Sequence, residues 1–242
     1  MSWDGRSYDA AADPQAAVGI DLIDRLVVPA GGSVVDAGCG SGRVTEALLD
    51  ARPDVTVVGL DASASMLEAA HERLARFGSR VVLREVDLAG PWSLGSPVDA
   101  VLSSSTFHWV LDHDELFGEV FRALRPGGCL VARCGGDGSL AAVRSAAAEL
   151  GVLVDDRNTY AGAEATTAAL EGAGFVDVRA WLEADPVSFP SREALGRYLA
   201  DAALAPYEHG SELAAAVAER LADPVADFVR LNILARRPYS TP

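Results

Sequence analysis

The chain has 242 residues, half of them hydrophobic, which is enough to bury the core of one large domain or of two small ones. Its net charge of −15 repels phosphate backbones and acidic membrane surfaces, so neither nucleic acid nor a membrane is an expected partner. All 20 basic residues are arginine, and the lack of lysine excludes Schiff-base enzymes of the pyridoxal phosphate type and a P-loop with its phosphate-binding lysine.

The cysteines and the N-terminus predict an intracellular protein. Cys39, Cys129 and Cys134 are an odd number without the paired spacing of a zinc site, so we expect reduced thiols and no bound metal. The first fifteen residues lack a basic region followed by an apolar stretch, and no apolar run approaches the ~18 residues of a membrane span. We therefore expect a soluble, cytoplasmic protein.

Strands and helices alternate along the first 150 residues. Asp13 and Pro14 are typical of a helix start, and apolar residues follow at helical spacing as far as Leu26. The predicted strands are Ser33–Asp36, Val55–Leu60, Arg80–Val86, Val98–Ser103 and Gly128–Cys134. The predicted helices between and after them are Val44–Ala51, Ala64–Phe77, Glu115–Leu124 and Leu140–Leu150. This order predicts an α/β fold with an open parallel sheet, whose ligands bind beyond the carboxyl ends of the strands.

The second half of the chain is less regular. Residues 174–189 and 226–238 predict two further strands, whereas residues 138–160 and 186–222 are alanine-rich helical stretches interrupted by glycine and proline. These two stretches are too long to be simple connections, so we expect them to be insertions that form a partial cap over the site. No repeat or low-complexity linker divides the chain, which predicts a single domain over residues 1–242.

A glycine-rich turn follows the first predicted strand, in the segment VVDAGCGSGRVTEALL at residues 34–49. Its glycines run G-x-G-x-G, and Arg43 stands where a dinucleotide-binding fingerprint has its third glycine. Gly38 suits a sharp turn, Gly40 suits close approach of a ligand to the backbone, and Gly42 precedes helix amides that favour an anionic group. The alternative is a tight strand-to-helix turn without a ligand.

Acidic residues end the next two predicted strands. Asp61 lies nineteen residues beyond Gly42, at the distance where a carboxylate accepts both hydroxyls of a ribose; the alternative is that it belongs only to the cap of the next helix. Asp87 ends the third strand, where a carboxylate can accept from the exocyclic amine of a purine while Leu88 packs on the ring. The alternative for Asp87 is a turn aspartate.

From residue 33 to 135, these strand ends resemble those of the class I S-adenosylmethionine-dependent methyltransferases. The segment SSSTFHWVLDHDELFGEVFRALRPGGCLVARCGG is most similar to their trans-aconitate methyltransferase-like branch, through HWV and LRPGG. The resemblance implies a Rossmann-like sheet of seven strands, the last one antiparallel, with residues 226–238 as an edge hairpin. It also implies that residues 1–30 form an N-terminal helical segment over the cofactor.

The same resemblance implies S-adenosyl-L-methionine as the cofactor. Asp36 and the glycines would hold its methionine portion, Asp61 its ribose and Asp87 its adenine. The predicted cofactor-binding residues are Asp36, Gly38, Cys39, Gly40, Gly42, Asp61, Ala62, Met66, Asp87, Leu88, Ser103 and Ser104.

Methyl transfer from a sulfonium needs an aligned acceptor and neither a metal nor a covalent intermediate. We predict His108 as the catalytic residue, because an unperturbed pKa of ~6.5 would let it accept a proton from a hydroxyl or phenol. The alternative is that His108 packs beside Trp109 and hydrogen-bonds the backbone. A carboxylate acceptor would need no base. The candidate arginines for binding such a carboxylate are Arg133, Arg144, Arg157 and Arg197. The alternative for each is a solvated position on the surface.

The predicted function is in-line methyl transfer from S-adenosylmethionine to a small-molecule acceptor, with oxygen of a carboxylate, hydroxyl or phenol favoured and nitrogen as a second option. The segment SSST stands where amino-directed nucleobase methylases carry Asn or Asp followed by Pro-Pro and an aromatic residue, which disfavours a nucleobase acceptor. The alternatives are an NAD(P)-dependent Rossmann oxidoreductase and a catalytically silent S-adenosylmethionine-binding protein. The acceptor and the oligomeric state stay open.

Overall fold

The computed structural model describes residue 19 and residues 21–152, 158–201, 203, 204, 207 and 209–239. The strands are β1 (Ser33–Ala37), β2 (Thr56–Asp61), β3 (Val81–Glu85), β4 (Val98–Ser104), β5 (Leu124–Gly135), β6 (Val176–Ala184), β7 (Val187–Ser188), β8 (Val225–Ala226) and β9 (Val229–Arg236). The helices are α1 (Arg43–Ala51), α2 (Ala64–Leu74), α3 (His113–Ala123), α4 (Ala141–Glu149), α5 (Ala163–Gly172), α6 (Arg192–Asp201) and α7 (Gly210–Arg220).

Seven strands form one sheet in the order β3-β2-β1-β4-β5-β9-β6. The pairs β1–β2, β2–β3, β1–β4 and β4–β5 are parallel, and β9 is antiparallel to both β5 and β6. The prediction of a Rossmann-like, mostly parallel sheet with an antiparallel last strand is thereby confirmed. Since β1 is flanked by β2 on one side and β4 on the other, the strand order reverses there and leaves a crevice at the carboxyl ends.

The last strand lies one position in from the sheet edge, and β6 forms the edge. Leu231 and Ile233 of β9 are buried, whereas most of β6 is exposed or half-buried. The prediction that residues 226–238 lie at the sheet edge is therefore wrong. The more apolar of the two strands takes the inner position, where both of its faces are covered.

The element boundaries differ from the predicted ones by a few residues. Strand β5 begins at Leu124 and so includes the turn-like RPGG segment that we predicted to precede it. Helix α2 ends at Leu74 and continues as a 3-10 segment, Ala75–Arg80, because Gly78 leaves helical geometry at φ 57°. Of the predicted N-terminal helix, Asp13 and Pro14 lie outside the described residues, while residues 19 and 21–23 are helical.

Each face of the sheet is covered by helices. On one face Leu48 of α1 and Leu74 of α2 pack with buried strand residues such as Val57. On the other face Phe117 of α3 and Leu170 of α5 belong to the largest buried cluster, together with residues of β1, β4 and β9. Burial of these apolar side chains provides most of the free energy that holds the layers together.

A third hydrophobic cluster lies apart from these two and joins α4, α6 and α7. Val143, Leu199 and Val217 are buried in it, and β7 pairs with β8 as a small antiparallel ribbon beside it. The three helices and β7 fall within the ranges that we predicted as cap insertions, 138–160 and 186–222, whereas β8 lies just beyond the second range. That these elements form a cap over the site stays a prediction. Within the described residues, no helix combines the length and the hydrophobicity needed to cross a bilayer.

Candidate active site

A cavity of about 540 Å³ opens at the carboxyl ends of the parallel strands. One part of its lining, the strand-end group, is drawn from residues 36–44, 61–66 and 87–89, and a second part from the loop at 104–112 after β4. The third part, the cap-side group, comes from later in the chain and consists of Gly135, Ser139, Leu140, Tyr160, Tyr198, Ala203, Phe228 and Arg230. The strand ends that carry the predicted motifs thus meet in one place, as parallel topology requires.

The three glycines of the turn fall into two classes, two that are closely packed and one that faces open space. A Cβ on Gly38 would lie 2.2 Å from the Thr106 side chain, and one on Gly42 would lie 2.9 Å from Leu74, so both are needed for close packing. A Cβ on Gly40 would have no heavy atom within 4 Å. Gly40 therefore borders open space within the cavity, which is what a ligand pressed against the backbone needs.

Asp61 ties this turn to the end of β2. Its Oδ2 accepts a hydrogen bond from the Gly40 N–H at 2.8 Å, and its Oδ1 accepts from the Ser63 N–H at 2.9 Å. The cap of α2 itself is Ser63, whose hydroxyl accepts from the Met66 N–H. Burial raises the pKa of Asp61, while these backbone donors oppose the shift. The Ala62 N–H is a third backbone donor to this carboxylate, which has about four lone-pair positions, so acceptor capacity remains for a ligand hydroxyl.

Asp36 lies beneath the turn and is 1% exposed. The Thr45 hydroxyl donates to its Oδ2 at 2.5 Å. Burial raises the pKa of Asp36 to about 6, with a lesser contribution from the nearby negative charge of Asp61, and the Thr45 hydrogen bond opposes the rise. A carboxylate in this position is poised to ionise fully when a positive group enters the cavity.

The other predicted cofactor residues divide into lining and non-lining ones. Cys39, Ala62, Met66, Asp87, Leu88 and Ser104 line the cavity. Asp87 also accepts from the Ala89 N–H at 3.0 Å, so it forms a turn as the alternative interpretation expected while remaining at the cavity wall. Gly42 and Ser103 do not line it: the Gly42 position packs against α2, and the Ser103 hydroxyl donates to the Ala37 carbonyl at 2.7 Å.

The three cysteines are free and buried. Burial raises the pKa of Cys39 well above its ordinary range, and the negative charges of Asp36 and Asp61 add to the rise. The Cys39 thiol is consequently a neutral wall of the cavity and not a nucleophile. Among the described residues, no group of three or more His, Cys, Asp or Glu side chains has the arrangement of a metal site.

His108 lies on a short 3-10 turn, Phe107–Trp109, between the strand-end and cap-side groups. The Gly135 N–H donates to its Nδ1 at 3.3 Å, and the imidazole stacks on Tyr160 with ring centroids 5.7 Å apart. Burial lowers the pKa of His108 to about 3, and the positive charges of Arg230 and His113 add to this shift. His108 is half-buried as a residue, but its ring packs against Gly135 and Tyr160. The expected pKa near 6.5 is therefore corrected, because the sequence does not reveal these contacts or the nearby charge of Arg230.

The protonation of His108 decides what it can do. Since Nδ1 accepts from a backbone N–H, its lone pair is engaged and the hydrogen of the neutral ring is on Nε2. A ring with so low a pKa is a weak proton acceptor at neutral pH. His108 thus has the character of a hydrogen-bond donor in the cavity wall.

The arginines predicted to grip an acceptor are not the ones that line the cavity. Arg133 donates from Nε to Asn232 at 2.6 Å, Arg197 pairs with Glu193 on the surface, and Arg144 lies beside the Tyr160 ring. Arg157 lies outside the described residues. The cavity wall instead includes Arg43 at the glycine turn and Arg230 on the cap side.

Sequence analysis missed Arg230, and one signal for it was present. The segment DFVRLNIL places an arginine in a strand that is mostly apolar and buried, where a charge is costly unless it has a specific partner or ligand. Of the predicted N-terminal segment over the site, residues 1–18 lie outside the described residues. Gly19 packs where a Cβ would meet Val44 and Ser104, two residues of the cavity wall.

Comparison with known proteins is consistent with this geometry. A family model described as a methyltransferase domain matches residues 34–128. The trans-aconitate 2-methyltransferase of Deinococcus radiodurans is 30% identical over 251 residues, which cover 99% of this chain and 94% of that protein. The protein of the same name from Azoarcus sp. (strain BH72) is 36% identical over 129 residues. That match covers 53% of this chain and about half, 49%, of the relative's own length.

Solved structures share the fold at low sequence identity. The YcgJ protein of Bacillus subtilis has a TM-score of 0.68 at 16% identity, covering 93% of this chain and all of that one. Phosphoethanolamine N-methyltransferase 2 of Haemonchus contortus, solved in complex with S-adenosyl-L-methionine, has a TM-score of 0.67 at 20% identity, covering 97% of this chain and 56% of that one.

Proposed function

This chain belongs to the trans-aconitate methyltransferase-like class I S-adenosylmethionine-dependent methyltransferases, and we propose that it transfers a methyl group to a carboxylate oxygen of a small organic acid. The observation that carries the choice of acceptor is the neutral, half-buried His108 in the cavity wall, whose Nδ1 already accepts from the Gly135 N–H. A carboxylate is already ionised at neutral pH and needs no base, whereas a hydroxyl or phenol must lose a proton as the methyl group arrives.

The residues of the strand-end group fit the cofactor. The cavity volume lies within the usual range for a small-molecule site, and Gly40 leaves space against the backbone. Asp61 has acceptor capacity left for a ribose hydroxyl, and Asp87 with Leu88 would hold the adenine. Asp36 would face the positively charged methionine end, where a carboxylate is electrostatically favourable.

The rest of the wall suits an ionised acceptor that reacts without proton transfer. Bound S-adenosylmethionine supplies a methyl group on a positively charged sulfur; as a carboxylate lone pair bonds to that carbon, the carbon–sulfur electron pair passes to sulfur, leaving S-adenosylhomocysteine and a methyl ester. His108 would donate its Nε2–H to the acceptor, and the aromatic rings of Trp109 and Tyr160 would exclude water around it.

The first test is an acceptor screen with S-adenosylmethionine labelled in its methyl group. The names of the relatives make trans-aconitate the first acid to try, beside a phenol and an amine of similar size. We expect label in a product that releases methanol under mild base, as an ester does. Transfer to the amine or phenol alone would contradict a carboxylate acceptor, and S-adenosylhomocysteine binding without transfer to any acceptor would support the catalytically silent alternative.

The role of His108 gives a second expected result. With both substrates saturating, kcat should show no titration that can be assigned to His108 between about pH 5 and pH 8, because its pKa lies below that range. His108→Gln, which retains an N–H donor, should lower kcat by roughly 10-fold at most and leave the shape of the profile unchanged. His71→Gln on the exposed side of α2 is the control. A limb near pH 6.5 that the His108 variant alone removes would show that His108 is a base after all.

A further inference from the structure

Arg230 occupies an unusual position at the end of the cavity. It begins the buried part of β9, where it pairs with Gly135 of β5 and Glu183 of β6, and its residue surface is 3% exposed. Its Nε donates to Asp185 Oδ2 at 2.9 Å, and the guanidinium carbon lies 4.1 Å from the centroid of the Phe228 ring. One edge of the guanidinium is therefore fixed by a carboxylate and one face by an aromatic ring.

The Nη2 atom of Arg230 is enclosed and has no hydrogen-bond partner among the described residues. A buried donor of a charged group without an acceptor is unfavourable, and native proteins supply the acceptor from a bound ligand or an ordered water. Asp227 Oδ1 is also buried and unpartnered, but Asp227 does not line the cavity. Among the residues that the structure describes, Arg230 combines an unpartnered buried donor of a charged group with a place in the cavity wall.

The electrostatics favour an anion beside Arg230. Asp185, its ion-pair partner, has a side chain 38% exposed, so solvent screens its negative charge, whereas the Arg230 side chain is only 4% exposed. The positive charge is consequently felt inside the cavity, and it already contributes to the low pKa of His108. In a chain with a net charge of −15, such a buried cation is the local feature that can attract an acid.

We propose that Arg230 is the binding residue for a carboxylate of the acceptor other than the one that is methylated, with Asp185 as its positioning residue. A guanidinium that holds both oxygens of a carboxylate engages the lone pairs that would have to attack the methyl group, so Arg230 suits an unreactive carboxylate. Arg230 comes from β9, whereas the glycine turn that would hold the cofactor follows β1, at another strand of the sheet. This inference rests on the proposed function, because it assumes that the acceptor binds in the part of the cavity lined by the cap-side group.

Direct binding tests this assignment without relying on turnover. Calorimetric titrations of the protein loaded with S-adenosylhomocysteine would use succinate, tricarballylate and the uncharged dimethyl succinate at fixed ionic strength. We expect at least one of the acids to bind to the wild type and the diester to bind more weakly. Arg230→Gln should weaken acid binding by roughly 10- to 100-fold, the range expected for hydrogen bonds to a charged group, and leave S-adenosylhomocysteine binding unchanged.

Further variants separate charge, geometry and folding. Arg230→Lys keeps the charge but not the planar fork, and it should restore only part of the affinity. Asp185→Asn leaves the guanidinium in place with a weaker anchor, so its loss should be smaller than that of Arg230→Gln and confined to acid binding. Arg236→Gln is the matched control, because Arg236 lies on the same strand, is paired with Asp177 and does not line the cavity.

The outcomes distinguish this inference from the proposed function. Equal acid affinity in wild type and Arg230→Gln, or no binding of either acid to a wild type that binds S-adenosylhomocysteine, would overturn the role of Arg230. Acid binding that depends on Arg230 without methyl transfer to any carboxylate would leave the subsite standing while the proposed function fails. Preserved S-adenosylhomocysteine binding in each variant shows that a lost acid signal is not a loss of folding.

Discussion

Replacing Asp61 by alanine is expected to weaken S-adenosylhomocysteine binding by on the order of 100- to 1,000-fold, because the proposed hydrogen bonding of the ribose to a carboxylate would be lost. The same change removes the acceptor of the Gly40 and Ser63 N–H groups, which hold the glycine turn against the end of β2. Ligand contact and preorganisation of the turn therefore act in the same direction. Calorimetric titration of wild type and variant with S-adenosylhomocysteine measures the effect directly.

Two matched variants separate these contributions. Asp61→Asn keeps the size of the side chain and one carbonyl acceptor but loses the charge, so it should preserve more of the turn. Its affinity for S-adenosylhomocysteine should lie between those of the wild type and of Asp61→Ala. Asp50→Ala removes an exposed carboxylate that pairs with Arg76 and should not affect binding. An Asp61→Ala protein that still binds S-adenosylhomocysteine within about threefold of wild type would show that Asp61 serves only the turn.

The parts of this site that could be predicted from the sequence depend on local rules. The glycine turn and the acids Asp61 and Asp87 follow from the alternation of strands and helices, because parallel topology brings successive carboxyl ends to one edge. The antiparallel last strand, which the family resemblance implied, was also confirmed. A motif whose residues are close in the chain, or attached to successive strands, needs little tertiary information.

The parts that could not be predicted depend on contacts between distant segments. The pKa of His108 is low because its ring is desolvated and lies near the positive charge of Arg230. The residues that contact or influence the ring come from β5 (Gly135), from β9 (Arg230) and from the segment before α5 (Tyr160). Ser103 was predicted to bind the cofactor, yet its hydroxyl donates to the carbonyl of Ala37 on a neighbouring strand. Whether a strand-end side chain faces the cavity or the sheet is set by register, which the sequence alone left open.

Arg230 is a second example of a site residue that sequence analysis could not identify. Four arginines were proposed as acceptor grips on the basis of charge alone, and none of the three described ones lines the cavity. Arg230 was overlooked because it lies in a strand, where we expected packing residues. The cavity wall combines ends of parallel strands with the beginning of an antiparallel one, so a residue early in β9 reaches the same edge as the last residue of β5.

Asp36→Asn is expected to stabilise the ligand-free protein while weakening S-adenosylmethionine binding. Burial raises the pKa of Asp36 to about 6, so the native state binds this proton more tightly than the unfolded chain, whose aspartates have a pKa near ~3.9. Stability contributed by the protonated form is fully present below about pH 4 and is lost as the pH rises through about 6. At pH 8 the buried charge then costs about 3 kcal/mol, and asparagine avoids it while still accepting from Thr45.

Denaturant unfolding at several pH values checks the sign of this effect. The difference in free energy of unfolding between Asp36→Asn and wild type should be largest near pH 8 and vanish below about pH 4. Taking the difference removes the opposing contribution of His108, whose lowered pKa makes both proteins less stable as the pH falls below about 6.5. A variant that is less stable than wild type at pH 8 would mean that the ionised carboxylate is stabilised by groups that the burial argument omits.

Binding of the cofactor should favour the ionised form of Asp36, in contrast to folding of the ligand-free protein, which favours the protonated form. If the positive methionine end of S-adenosylmethionine binds only the ionised Asp36, wild-type affinity rises about 10-fold between pH 5 and pH 7, and Asp36→Asn makes it nearly independent of pH. The charge that destabilises the empty cavity is then the charge that the bound cofactor neutralises. A wild-type affinity that does not change across this range would place the positive end of the cofactor away from Asp36, and the pH dependence of binding would have to come from another group.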